Sequence, residues 1–144
     1  MKERFKNGIV ADLLIIKNKG NNKKILLAKR KNTGYKDGEY EIPGGHLEEN
    51  EDLYEAMIRE AREELGILLQ REDLRIIHIM HHYTGNRINF IFSTEREDIK
   101  PKIMEEEKCE ELKWVDINDL PENTMEKVKK IIGHIREGEL YSNM

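Results

Sequence analysis

The sequence predicts an α/β fold, specifically an α/β/α sandwich around a mixed central β-sheet. Three observations predict it. Apolar runs rich in β-branched residues lie on both sides of one central helical stretch. A second stretch with helical periodicity closes the chain. Short clusters of Gly, Asn and Pro separate these segments. Strands before and after a helix, with a further helix at the end, are buried best as layers.

Length and composition narrow the class. A chain of 144 residues is expected to be one domain, 1–144, with a core of its own. A net charge of −4 argues against a general nucleic-acid binder, but leaves room for a nucleotide met by a few local groups. The single Cys109 leaves no internal disulfide, fits a reducing compartment and reads as a buried core thiol. MKERFKN has no apolar leader core, and no run approaches the ~18 apolar residues of a membrane span. The expectation is therefore a soluble cytoplasmic protein, monomeric or homodimeric.

The elements follow in order. Residues 8–17 (GIVADLLIIK) read as a buried strand, 18–23 as an Asn/Gly turn and 24–30 (KILLAKR) as the returning strand of a hairpin. Residues 31–38 are a loop, and 39–42 (EYEI) a short strand that leads into Pro43-Gly44-Gly45, a chain reversal. Residues 74–83 (LRIIHIMHHY) form a strand whose His78, His81 and His82 are expected to be partly exposed rather than a transition-metal site. Residues 87–95 (RINFIFSTE) alternate as a half-buried antiparallel strand, in which Asn89 or Phe90 could line a base pocket. After a loop around Pro101, 111–115 (ELKWV) is a strand with Trp114 in the core. Asn123 or Thr124 caps a last helix over 125–136, whose apolar face is Met125, Val128, Ile131, Ile132 and Ile135. Gly138 ends it, and 139–144 are expected to fray.

Residues 44–67, GGHLEENEDLYEAMIREAREELGI, carry the chemistry. With Asn50 as N-cap and Gly66 as the residue that stops it, a helix is expected over 51–65. Glu60, Glu63 and Glu64 then share one arc, because they are spaced i, i+3 and i+4. They border an apolar stripe of Ile58, Ala61 and Leu65, with Leu53, Ala56 and Met57 one to two turns earlier. Crowded carboxylates at the edge of a buried face repel one another, and a divalent cation relieves the repulsion; oxygen ligands suit Mg²⁺ or Mn²⁺. Arg59, four residues after Glu55 and four before Glu63, can pair with both.

Gly45, then Glu51, then Arg59-Glu60-Ala61-Arg62-Glu63-Glu64-Leu65-Gly66-Ile67 resembles the Nudix box at every fixed position over 23 residues, Ala61 being small for its aliphatic slot. The resemblance implies the same sandwich fold and a metal site of Glu60, Glu63, Glu64 and the Gly44 carbonyl. Arg30 is open to two readings, a solvated strand end or a phosphate contact at a position where the family often has a basic residue. Glu107-Lys108-Cys109-Glu110 is similar to a P-E-K-C-E pattern of related chains, with Glu106 where proline is usual. It implies Glu107 as an extra ligand or base, beside Glu63 and Glu64, while Glu105 and Glu110 read as solvated.

The implied reaction is hydrolysis of a pyrophosphate bond in a nucleoside diphosphate linked to X. A MutT-like (d)NTP pyrophosphohydrolase, with oxidised or non-standard bases among the candidates, is the first reading. Hydrolysis of dinucleoside polyphosphates or nucleotide sugars is the alternative. ADP-ribose hydrolases tend to carry a proline downstream of the box where this chain has HHYTG, which disfavours them. A non-catalytic nucleotide sensor is a third class, although such modules typically lose box glutamates and this chain keeps them all. The partner expected is a small nucleotide, not a membrane or a nucleic-acid polymer.

Overall fold

A computed structural model describes residues 2–144. Eight strands and two α-helices run in the order β1 (Gly8–Lys19), β2 (Asn22–Arg30), β3 (Tyr40–Glu41), β4 (Gly44–His46), α1 (Leu53–Leu65), β5 (Arg75–His82), β6 (Arg87–Thr94), β7 (Cys109–Asp116), α2 (Glu126–Arg136) and β8 (Tyr141–Asn143). The main path of the sheet is β3-β2-β1-β6-β5-β8, with β4 on β1 and β7 on β2. The β1–β6 and β5–β8 pairs are parallel and the others antiparallel, so the sheet is mixed as expected. No described helix is long and apolar enough to cross a membrane.

The unbroken apolar run of β1 is explained by its place in the middle. Side chains alternate across a strand, and both faces here are covered. Leu13 and Ile15 join Ala56, Met57, Ala61 and Leu65 of α1. Leu14 joins Val128, Ile131 and Ile132 of α2. The result is a helix layer on each side of the sheet. The same position corrects the reading of β6: it lies between β1 and β5, and Ile91, Phe92, Ser93 and Thr94 are all buried. Ile91 serves the α2-side core while Phe92 serves the α1 side.

The helix starts differ from expectation. Asn50 sits in the left-handed region at φ 66°. Asp52 caps α1 instead, accepting from Glu55 N at 2.8 Å while Glu55 Oε1 accepts from Asp52 N at 2.9 Å. Gly66 ends the helix in the left-handed conformation, its N–H reaching Arg62 O at 3.0 Å. No side chain caps α2: Asn123 donates to Gly38 O at 2.9 Å, and Thr124 is buried.

The C-terminal residues 139–144 do not fray. Tyr141–Asn143 of this stretch form β8 beside β5, and the stretch is locked by His78, which is fully buried rather than partly exposed. His78 Nδ1 lies 2.7 Å from Glu139 O, so this nitrogen carries the proton, and Nε2, 2.8 Å from Ser142 Oγ, accepts. Burial holds the imidazole below its usual range, which keeps it neutral. Nothing in the polar sequence ELYSNM signals this, because the strand owes its existence to a partner strand far away in the chain.

Candidate active site

Pro43-Gly44-Gly45, read as a bare reversal, carries a short strand. β4 pairs antiparallel with β1, Gly45 opposite Ala11 and Gly44 opposite Asp12. Space is tight at both glycines, against backbone at Gly44 and against a side-chain end at Gly45. A Cβ on Gly44 would collide with the Ala11 carbonyl and with Asp12, and one on Gly45 would collide with the carboxylate of Glu60. The strand is thereby pressed against the carboxylate-bearing face of α1, and Gly44 N–H donates to Glu64 Oε2 at 3.2 Å.

Arg59 organises that face. Its Nε and Nη2 hold both oxygens of Glu51 at 2.8 and 2.9 Å, and Nη1 reaches Glu60 Oε1 at 2.8 Å and Glu63 Oε2 at 3.2 Å. Nη2 also donates to His46 O at 3.1 Å, tying the helix to the end of β4. Glu55, the expected second partner, is spent in the capping box. The fork–fork pair with Glu51 pushes the guanidinium pKa up and that of Glu51 down, so both are ionised. Glu60 is largely buried beside this cation, while the Glu63 side chain is 47% exposed and splays outward.

Glu64 faces a cavity of about 150 Å³ with Gly44, Arg30, Glu41, Glu105 and Cys109 among its walls. The loop that brings Glu105 here is pinned along the end of α1, with Lys102 N donating to Leu65 O at 3.0 Å and Met104 N to Glu64 O at 3.2 Å. Burial, then the charges of Glu60 and Glu41, push the Glu64 carboxyl up to about 9, with Glu105 adding to the effect. Burial also raises Glu41, against the opposing pull of Arg30.

Among the described residues, no group of three or more His, Cys, Asp or Glu side chains is already set to hold an ion. The donor chemistry nevertheless fits one. Several carboxylates crowd a half-buried pocket, where burial first and then the charges of Glu60 and Glu41 raise Glu64. An oxygen-only cluster of this kind is matched by a hard divalent cation.

A second cleft, of about 390 Å³, continues from the first and shares Arg30, Glu41, Gly44 and Lys108 with it. Asp12, Asn89, Arg87, Lys127 and Tyr35 line its remainder. Its size falls in the ~300–1,000 Å³ range of ligand pockets. Asn89, on β6, is buried and donates through Nδ2 to Asp12 Oδ2 at 2.8 Å. Burial lifts the Asp12 carboxyl to about 6, with Lys127 and Asn89 opposing.

The structure thus brings Gly44, Arg59, Glu60 and Glu64 together, with Glu63 at the rim. Arg30 is not a solvated strand end: it is half-buried between Glu41 Oε1 at 2.7 Å, Thr33 Oγ1 at 2.9 Å and Tyr35 O at 2.6 Å. Asn89 lies in the second cleft, away from the helix carboxylates. Glu107 is exposed and lines neither cavity, whereas Glu105, expected as a solvated charge, lines the first. Cys109 is half-buried in the cavity wall rather than in the core. Trp114 packs only partly against the α1-side core, with Lys17 Nζ 4.2 Å from the ring centroid.

Asp12, Glu41 and Glu105 were missed. Asp12 had a signal, since it is the lone acid inside an apolar run. Glu41 also had one, between the buried Tyr40 and Ile42 just before the glycines.

Comparisons with known proteins bear on the family and the fold. The NUDIX domain family model matches residues 6–135. An ADP-ribose pyrophosphatase of Methanocaldococcus jannaschii is 30% identical over 115 residues, covering 78% of this chain and 66% of that protein. A MutT protein from Methanosarcina mazei Go1 superposes with a TM-score of 0.77 at 22% identity, over 94% of this chain and 97% of that one. A MutT/nudix family protein from Enterococcus faecalis gives a TM-score of 0.69 at 19% identity, over 81% of this chain but only 46% of that one. The extent of the family match, over a sheet flanked by two helices and a glycine strand pressed on an acidic helix, settles the assignment: this chain belongs to the Nudix family.

Proposed function

We propose that the chain is a divalent-metal-dependent pyrophosphohydrolase acting on a nucleoside diphosphate linked to X. A (d)NTP, standard or oxidised, is the first-choice substrate, giving a monophosphate and pyrophosphate. The observation that carries this reading is the junction of two clefts at Gly44: an acidic cavity around Glu64 opens into a larger one with room for a nucleoside.

Glu60, Glu63 and Glu64, with the Gly44 carbonyl, would hold Mg²⁺ or Mn²⁺. Such ions neutralise phosphate charge and polarise phosphorus toward attack by water. The chain's own groups do the rest. Arg59 fixes Glu60 and Glu63 from one side while anchored on Glu51. Arg30 and Lys108, at the junction, offer positive charge to phosphate oxygens leaving the acidic cavity. A carboxylate takes the proton from the attacking water. Glu63, Glu64 and Glu107 are candidates from the sequence, and the position of Glu105 in the cavity wall adds a fourth. A reducing, cytoplasmic setting with a soluble nucleotide as partner completes the proposal.

The curated relative supports a second reading, in which X is ribose and the substrate ADP-ribose, giving AMP and ribose 5-phosphate. A panel of nucleoside triphosphates, dinucleoside polyphosphates, ADP-ribose and nucleotide sugars, assayed for phosphate or pyrophosphate release with Mg²⁺, separates the readings. Glu63→Gln and Glu64→Gln should each lower turnover by about 10²-fold or more, because each removes one of the negative charges proposed to hold the cation. Near wild-type turnover in either purified variant refutes the metal assignment. Tight binding of one nucleotide without turnover supports a sensor instead.

A further inference from the structure

The floor of the larger cleft holds a charge that the hydrolytic chemistry does not use. Asp12 sits in the middle of β1, flanked by fully buried Ala11 and Leu13, and is itself only 9% exposed. Asn89, on the adjacent strand, is 1% exposed and donates through Nδ2 to Asp12 Oδ2. That bond sets the orientation of the amide, since a carboxylate accepts and the NH₂ must face it. The arrangement is costly. Asn89 Oδ1 is left buried with no hydrogen-bond partner among the described residues. A buried amide that gives up half its bonding to steady a buried carboxylate is not serving stability, and such local conflicts gather at functional positions. Asp12 Oδ1 makes no side-chain hydrogen bond, and Asp12 is among the residues that line the larger cleft.

We propose that Asp12, held by Asn89, determines specificity by accepting from two adjacent hydrogen-bond donors on the substrate. This deepens the nucleotide reading above and rests on it. Two parts of a nucleotide substrate carry such donors. The guanine edge offers N1–H beside the exocyclic NH₂, and a ribose offers a vicinal diol. Hypoxanthine retains one donor of the edge. Adenine sets an acceptor, N1, beside its NH₂ and repels a carboxylate there. A site built around a buried acceptor rejects ligands that leave it unpaired.

The test is binding by calorimetry to the intact protein with Mg²⁺, using α,β-methylene triphosphates of guanosine, inosine and adenosine, and separately the α,β-methylene analogues of ADP-ribose and 2″-deoxy-ADP-ribose. Loss of each donor should weaken binding roughly tenfold in the series that places its donors on Asp12. Asp12→Asn, isosteric and relieved of buried charge, should flatten that series to within about threefold while still binding its ligands. A flat base series together with a flat sugar pair in the wild type overturns the inference and leaves the proposed function standing. Discrimination that persists in Asp12→Asn overturns it too. Failure of every ligand to bind sinks this inference and the nucleotide reading together. If Asp12→Asn does not fold, the wild-type series alone decides.

Discussion

Replacing Gly45 with alanine perturbs one atom and one contact. A Cβ built at Gly45 lies 2.6 Å from Glu60 Oε2 and closer still to the rest of that carboxylate, where ordinary contact begins at 3.4 Å. The carboxylate must therefore retreat by roughly 1 Å, and displacements of that size in a reacting constellation can cost about 10²-fold in rate. Glu60 is the far end of a flexible side chain, so it can yield, but in doing so it strains the 2.8 Å bond to Arg59. Overpacking typically costs ~1–3 kcal/mol, and a yielding partner places Gly45→Ala near the low end. The expected result is a folded protein, a few degrees less stable in a thermal melt, whose kcat/KM has dropped about 10²-fold. Glu60→Gln should lose as much alone, and the double variant should be little worse than either, because both act on one group. Gly45→Ala within threefold of wild type, or full additivity of the two changes, would show that the position of Glu60 does not matter to the reaction. Gly44→Ala gives the contrast: its Cβ meets backbone of β1, 2.7 Å from Asp12 Cα, which cannot turn aside, so loss of folding is expected there.

Other perturbations follow from the same geometry. Glu105→Gln should reduce kcat by about 10²-fold and Glu107→Gln by less than about threefold, since only the first lines the cavity; steady-state kinetics showing the reverse order would exclude Glu105. His78 is buried neutral, so the folded protein binds fewer protons than the unfolded chain as pH falls below the ordinary imidazole value of 6.5. Its contribution is complete above that value and is lost on acidification, by at most ~1.4 kcal/mol per pH unit for one proton. Denaturant unfolding between pH 7 and pH 5 should show a shallower stability loss in His78→Gln than in wild type, and parallel profiles would contradict the neutral tautomer. Removing residues 140–144 deletes β8 and strips the Ser142 contact from His78. Hydrogen exchange should then accelerate along β5 and leave α1 protected, whereas uniform exchange would mean that the two layers do not open separately.

Local information in the sequence was enough for much of this protein. The helical arc of Glu60, Glu63 and Glu64 over a buried stripe follows from spacing alone, and α1 buries Ala56, Met57, Ala61 and Leu65 as that stripe requires. The dense run of β1, the hairpin to β2 and the apolar face of α2 are equally local, because periodicity reports which side of an element must leave water. Features made by partners distant in the chain were not legible. β4 is three residues with two glycines, and it becomes a strand only because β1 lies beside it. β8 is polar and exists because His78 and β5 receive it. The choice of Glu105 over Glu107 is decided by how a loop crosses the end of α1, a matter of tertiary hydrogen bonds that residue type does not encode. The sequence alone therefore determined which residues hold the charge of the acidic helix and that this charge borders a core. Which further carboxylates join it, and that Asp12 and Asn89 meet 77 positions apart at the floor of a second cleft, were decided by the sheet, because only strand pairing brings such positions within hydrogen-bonding distance.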